Sequence, residues 1–226
     1  MKMRDTYGWL LALVAMTLLS ACSDDNDGSE VYTDFRYDLV TYLGQEAGGA
    51  VFEYLGQNDS TVVTLHSNLA SQEDLKSGRR VLLNYKVLDR PSANRWNVQV
   101  NGYNTNVASD SLRYNIHPLE DYSMHPIRLQ SLWRTGKYIN LRCQVEYTGK
   151  TRQLYLMMDN DTHYADTVHC YLIHDLLGGA SDASFWRSCY GSFFVGKVWD
   201  LESCRVLRVH VNDLTYPERS YYDFAK

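Results

Sequence analysis

The first residue whose setting implies a reaction is Cys22. Lys2 and Arg4 precede an apolar run from Trp9 to Leu19, which leads into Leu19-Ser20-Ala21-Cys22. The run is too short for a bilayer-spanning helix, which needs ~20 residues. It has the proportions of a secretory signal core. Small residues just before a cysteine are what lipoprotein signal peptidase requires. On this reading residues 1–21 are a lipoprotein signal peptide, the Cys22 thiol receives a diacylglyceryl group, and the chain is cut before it. The plainer alternative is an ordinary secretory cleavage site that adjoins a cysteine. One acyl chain holds a protein marginally to a membrane and two or three hold it stably.

Other chemistry-bearing residues converge less. His163, His169 and His174 lie near Asp159, Asp161 and Asp166. In a strand, positions 169 and 174 face opposite sides, and structural zinc sites use Cys and His pairs at short repeated spacing. No metal is expected. Asp25-x-Asp27-Gly28 mimics only the start of a calcium loop, whose twelfth position would be Asp34 rather than Glu. After lipidation four cysteines remain: Cys143, Cys170, Cys189 and Cys204. An exported protein permits disulfides among them in three pairings. Cys143, on an apolar face between Leu141 and Val145, also packs well as a small hydrophobe, and buried thiols are the preferred reading. Gly191-Ser192-Phe193 is only half of a Gly-x-Ser-x-Gly elbow. No phosphate loop, nucleotide fingerprint or carboxylate pair stands out, so neither catalytic residues nor a cofactor is expected.

Charge sets further limits. The 226-residue chain has a formal net charge of −5. Residues 22–34 carry five acids and no bases, whereas residues 35–108 balance to zero and 109–226 to −1. Residues 22–34 read as an acidic flexible tether with nothing apolar to pack in its first part. A neutral body lacks the basic groove that nucleic-acid binding uses.

The elements that must position these residues are strands. Residues 36–43, 50–55 and 61–65 read as strands, and Ser71-Gln72-Glu73-Asp74 has a capping-box spacing that predicts one helical turn at 71–76. From Arg79 to Leu88 the pattern alternates: Val81, Leu83, Tyr85 and Val87 share one face, while Arg80, Asn84 and Lys86 point the other way. Leu82 is the exception on that second face. Trp96, Val98 and Val100 repeat the alternation. Five strands with one helical turn suit an OB-like barrel over 35–108. Farther on, residues 127–133, 139–147, 153–158, 168–174, 193–195 and 204–211 read as strands. Thr148-Gly149-Lys150 is expected to join two of them as a hairpin. Regular short strands argue for an antiparallel β-sandwich over 109–226. The fold class is all-β.

Surface recognition has two candidates. Tyr221, Tyr222 and Phe224 follow the last expected strand and offer flat faces for a ligand such as a sugar, although aromatics most often fill cores. Asp59-Ser60-Thr61 and Asp110-Ser111-Leu112 resemble the O-glycosylation sequon of Bacteroidetes, which makes Ser60 and Ser111 candidate glycan carriers.

The order of features resembles a known family. A lipobox and acidic tether come first. Gly78-Arg79-Arg80-Val81-Leu82-Leu83-Asn84-Tyr85 and Asn97-Val98-Gln99-Val100-Asn101-Gly102 follow, then Leu132-Trp133-Arg134-Thr135-Gly136-Lys137-Tyr138-Ile139-Asn140-Leu141. Together they resemble the NigD-like lipoproteins of Bacteroidetes. The resemblance implies an N-terminal OB-like domain, a C-terminal β-sandwich and a bacteriocin-immunity role. Cys22 followed by Ser and an Asp run also resembles the export signal of surface lipoproteins in that phylum. The expectation is a non-enzymatic protein tethered to the outer membrane and facing outwards, with a protein or glycan partner and no nucleic acid. The alternative is a glycan- or peptide-binding accessory of an uptake system.

Overall fold

The structure is a computed structural model that describes residues 35–56, 61–147, 152–178 and 185–226. The expected signal peptide and tether, with Cys22, and Ser60 lie outside the described residues.

Five strands close the first lobe: β1 (Phe35–Glu46), β2 (Gly49–Leu55), β3 (Val62–Ser67), β4 (Arg80–Ser92) and β5 (Arg95–Asn104). They follow one another round the barrel in the order β1-β2-β3-β5-β4, with β3 and β5 parallel. The alternation explains the closure, because one face of every strand needs cover and a barrel gives it while leaving no edge. Val40, Phe52, Leu65, Val81, Leu83 and Tyr85 fill the interior, all fully buried. Gly49 makes the β1–β2 turn possible. Its φ is +150°, and a Cβ there would run into the Ser67 carbonyl.

The helical turn expected at 71–76 does not form. Two separate turns, at 73–74 and 77–78, replace it. Leu75 is buried in the barrel core, and the Tyr103 hydroxyl donates to Asp74 Oδ1 at 2.8 Å. Both anchors are tertiary, and they outweigh a weak local capping signal.

The second lobe is a two-sheet sandwich. Its strands are β6 (Val107–Ser111), β7 (Arg113–Tyr114), β8 (Arg128–Thr135), β9 (Tyr138–Tyr147), β10 (Gln153–Met158), β11 (Thr167–Asp175), β12 (Phe185–Phe194), β13 (Val206–His210) and β14 (Tyr221–Ala225). One sheet runs β14-β13-β11-β10-β7 and the other β6-β12-β9-β8. The all-β reading with a barrel and a sandwich holds. Three pairs in the sandwich are parallel, β6 with β12, β7 with β10 and β11 with β13, so it is not purely antiparallel. β6 also begins two residues before the expected start of the lobe at 109.

The expected β9–β10 hairpin is absent, because these strands belong to opposite sheets. β9 is flanked by β8 and β12, and β10 pairs with β11. The composition of β10 gives the reason. Leu156 and Met158 face the inter-sheet core, while Tyr155 and Met157 are buried on the other side beneath Leu119, Tyr122 and Met124. A strand apolar on both faces needs cover on both, which a hairpin beside β9 would not supply. The inter-sheet core includes Ile139, Leu141, Cys143, Leu156, Phe193 and Leu207, all fully buried. Each such large side chain contributes about 1.5–3 kcal/mol by leaving water.

Barrel and sandwich belong to one compact unit, Asp34–Lys226. Arg80 joins them. Although assigned to the outward face of β4, it is only 4% exposed, because outward from the barrel is inward to the sandwich. Its guanidinium donates to Ser192 Oγ (2.8 Å), Thr41 Oγ1 (3.1 Å), the Leu39 carbonyl (3.1 Å) and Asn140 Oδ1 (3.3 Å). It also lies 4.3 Å from the centroid of the Tyr138 ring. Burial lowers its pKa to about 10, against the smaller opposing effects of Tyr138 and Glu53. Leu82, the exception to the alternation, marks the same covered face.

Candidate functional site

Beside Arg80 the two lobes leave a cleft of about 910 Å³. β1 supplies Arg36, Tyr37 and Asp38, β2 supplies Tyr54, and β4 supplies Leu82. The facing wall is Ser131, Trp133 and Thr135 from β8, Arg142 from β9 and Tyr190 from β12. On β1 the odd positions Tyr37 and Leu39 point away from the barrel interior, whereas Arg36 and Asp38 share the parity of buried Val40 and Tyr42 and line the cleft where that inward row ends.

A charged cluster organises the barrel side. Arg36 Nε sits 3.1 Å from Asp38 Oδ2, and its Nη2 donates to the Tyr54 hydroxyl at 2.8 Å. The guanidinium also lies over the Tyr54 and Trp96 rings, at 4.8 and 5.2 Å from their centroids. Burial opposes its charge, but Asp38 and the neighbouring tyrosines outweigh that and raise the Arg36 pKa. The Tyr85 hydroxyl donates to Asp38 Oδ2 at 2.8 Å. Burial, then the Asp38 charge, pushes its pKa far up, so it stays a donor. Tyr37 is 68% exposed, with its hydroxyl 2.6 Å from Asn84 Nδ2. Trp133 is half-buried on the opposite wall. Aromatic faces, hydrogen-bonding hydroxyls and pre-set charges are the equipment of a binding cleft.

The residues singled out in the sequence are dispersed. Tyr221, Tyr222 and Phe224 lie on the edge strand β14 and do not all share a face. Tyr222 and Phe224 pack on the inter-sheet core, and the Tyr222 hydroxyl approaches Asp213 Oδ2 at 3.3 Å. Tyr221 faces the other way, under Arg208, whose guanidinium stands 4.0 Å from its ring. Ser111 is exposed at the end of the edge strand β6.

His169 and His174 do lie on opposite faces of β11. His169 Nδ1 is 3.2 Å from His210 Nε2, and His210 stacks on Tyr171 with ring centroids 4.5 Å apart. Burial, then His169, lowers the His210 pKa. His163 stacks instead on Tyr164. Among the described residues no three metal-ligating side chains come together. The four described cysteines, Cys143, Cys170, Cys189 and Cys204, are free thiols. Cys143 and Cys189 are register partners on β9 and β12, and the hydrogen bond between them, then burial, raises the Cys143 pKa. The same bond lowers that of Cys189.

Sequence reasoning passed over Arg36, Tyr37, Arg142 and Tyr190, which share the cleft. An apolar Leu82 on a polar strand face was the available signal that something covers β4. It did not say what.

No family model matches the chain, and no curated protein matches it. Solved structures do. A protein of unknown function, DUF1344, from Bacteroides vulgatus ATCC 8482 superposes with a TM-score of 0.65 at 15% identity, over 85% of this chain and 90% of that one. A NigD-like immunity protein from Bacteroides caccae ATCC 43185 gives 0.59 at 18% identity, over 84% and 92%. A protein described as a candidate lipoprotein from Bacteroides fragilis NCTC 9343 gives 0.57 at 9% identity, over 85% and 96%. The resemblance to NigD-like proteins read from the sequence therefore holds at the level of the fold.

Proposed function

We propose that this chain is a lipid-anchored, non-catalytic envelope protein that acts by binding, with the cleft between barrel and sandwich as its recognition surface. The observation that carries the reading is that cleft: about 910 Å³, walled by both lobes, with exposed Tyr37 facing half-buried Trp133 around the Arg36–Asp38 pair. The lipobox at Cys22 supports attachment to the outer membrane, and the acidic tether supports exposure at the cell surface. A fold shared with a NigD-like immunity protein supports protection against a toxin, by capturing or masking it. Arg36 is committed to Asp38, which fits a protein partner better than a nucleic acid.

The aromatic walls favour a second reading, a glycan- or peptide-binding accessory of a surface uptake system. Deleting the gene and challenging cells with toxin separates the two. Raised sensitivity, restored by the parent gene and not by Trp133→Ala, supports immunity through the cleft. Unchanged sensitivity refutes it. A glycan array probed with the full chain and with the same variant tests the second reading, and a blank array from folded protein refutes that.

A further inference from the structure

At one end of the sandwich the two sheets part around a cavity of about 530 Å³. Its walls follow from strand alternation. The inward-facing positions of β9, β10, β11 and β12 run out at this end, so the rows that begin as core finish as a polar rim. Val145, Leu154 and half-buried Cys189 contribute the apolar part. Arg113, Arg152 and Arg187 contribute positive charge, against one carboxylate among the described lining residues, Asp110, which Arg113 holds at 2.9 Å. Arg187 is exposed at the start of β12, with its guanidinium 5.2 Å from the Tyr147 ring centroid.

His174 closes the argument. It continues the inward row Val168, Cys170 and Leu172 on β11, lines the cavity and is only 2% exposed. Among the described residues, neither of its ring nitrogens has a hydrogen-bond partner of acceptable geometry. Burial, then Arg152, lowers its pKa and outweighs the weak pull of the Pro126 and His125 backbone towards the charged form, so at neutral pH it is a neutral imidazole. A neutral imidazole carries one N–H donor and one acceptor. Leaving such groups unpaired inside a protein costs about 1–3 kcal/mol each.

We infer that this end of the sandwich is a binding site for a small amphipathic carboxylate. Its head would sit against Arg187 and accept from the His174 N–H, and its apolar body would lie along Val145, Leu154 and Cys189. The volume falls within the range of small-molecule sites, about 300–1,000 Å³. The site is separate from the cleft and does not depend on what the cleft binds.

Cys189 reports occupancy. Octanoate serves as the probe and octylammonium as its charge-reversed control. The full chain is treated with iodoacetamide, and alkylation of each cysteine is followed by peptide mass spectrometry. Octanoate at four times its dissociation constant is expected to slow alkylation of Cys189 about fivefold. Octylammonium is expected to leave the rate unchanged. Arg187→Gln, at an exposed strand end, should lose most of the protection while keeping the parent melting temperature, and Arg187→Lys should retain it. Should the Gln variant fail to fold, the comparison of the two probes on the parent chain decides. Equal protection by octylammonium, undiminished protection in folded Arg187→Gln, or no protection by octanoate up to roughly 10 mM would overturn the proposal.

Discussion

Replacing Arg80 by Ala tests whether one side chain holds barrel and sandwich together. The guanidinium makes four hydrogen bonds to acceptors on three strands: Thr41 and Leu39 on β1, Asn140 on β9 and Ser192 on β12. Hydrogen bonds from a charged donor are worth about 1.5–3 kcal/mol each. Set against them is the cost of keeping the charge out of water. Net of the favourable effects of Tyr138 and Glu53, burial lowers the pKa from 12.5 to about 10, which corresponds to about 3 kcal/mol. Truncation removes both the bonds and the penalty, leaves buried acceptors without a donor, and opens a void beside Tyr138. The net loss is roughly 4 kcal/mol, near the upper end for a single substitution. With a urea dependence of about 2–3 kcal/mol per molar, the unfolding midpoint should fall by about 1.3–2 M. Arg80→Lys keeps the charge, but one ammonium does not span acceptors on three strands, so it should lose roughly half as much. Urea titration followed by tryptophan fluorescence measures both variants. A midpoint for Arg80→Ala within about 0.3 M of the parent would refute the reasoning, because the node would then contribute nothing beyond the contacts around it.

The other expectations are more local. Gly49→Ala should destabilise by about 2–3 kcal/mol, since a Cβ at φ +150° meets the Ser67 carbonyl, and a thermal melt reads it. Gly191→Val should cost about 1–3 kcal/mol by overpacking, because even a Cβ there falls 2.9 Å from both Leu141 Cδ2 and Phe193 Cε2; a parent-like midpoint would refute this. Burial lowers the folded-state pKa of His174 and of His210 below 6.5. The unfolded chain then binds more protons below that pH, so stability should decline as pH falls from about 6.5 towards the folded-state values, and His174→Gln should flatten that decline. Cells grown on labelled palmitate should incorporate label through Cys22, and the Cys22→Ser form should leave the membrane fraction. Alkylation after unfolding without reductant should find four free thiols, at Cys143, Cys170, Cys189 and Cys204, and any protected pair would contradict their free state.

Much of the fold was legible because alternation is a local property. Val81, Leu83 and Tyr85 announce a barrel-facing row, and Ile139, Leu141, Cys143 and Val145 announce a sandwich-facing one, since each apolar side chain on a pleated strand must find cover on its own side. The expected lipobox at Cys22 is read in the same local way, from charge, run length and small residues in order. Alternation says which way a side chain points and nothing about which strand lies beside it. Thr148-Gly149-Lys150 therefore suggested a hairpin, whereas β9 and β10 part to opposite sheets so that both faces of β10 gain cover. Arg80 pointed out of the barrel, as its parity required, and only the packing of the second lobe turned that outward face into an interior. The cleft has the same origin. Tyr37, Arg36, Trp133, Arg142 and Tyr190 lie far apart along the chain and meet because the lobes dock, and docking is fixed by long-range burial that no short stretch of sequence encodes.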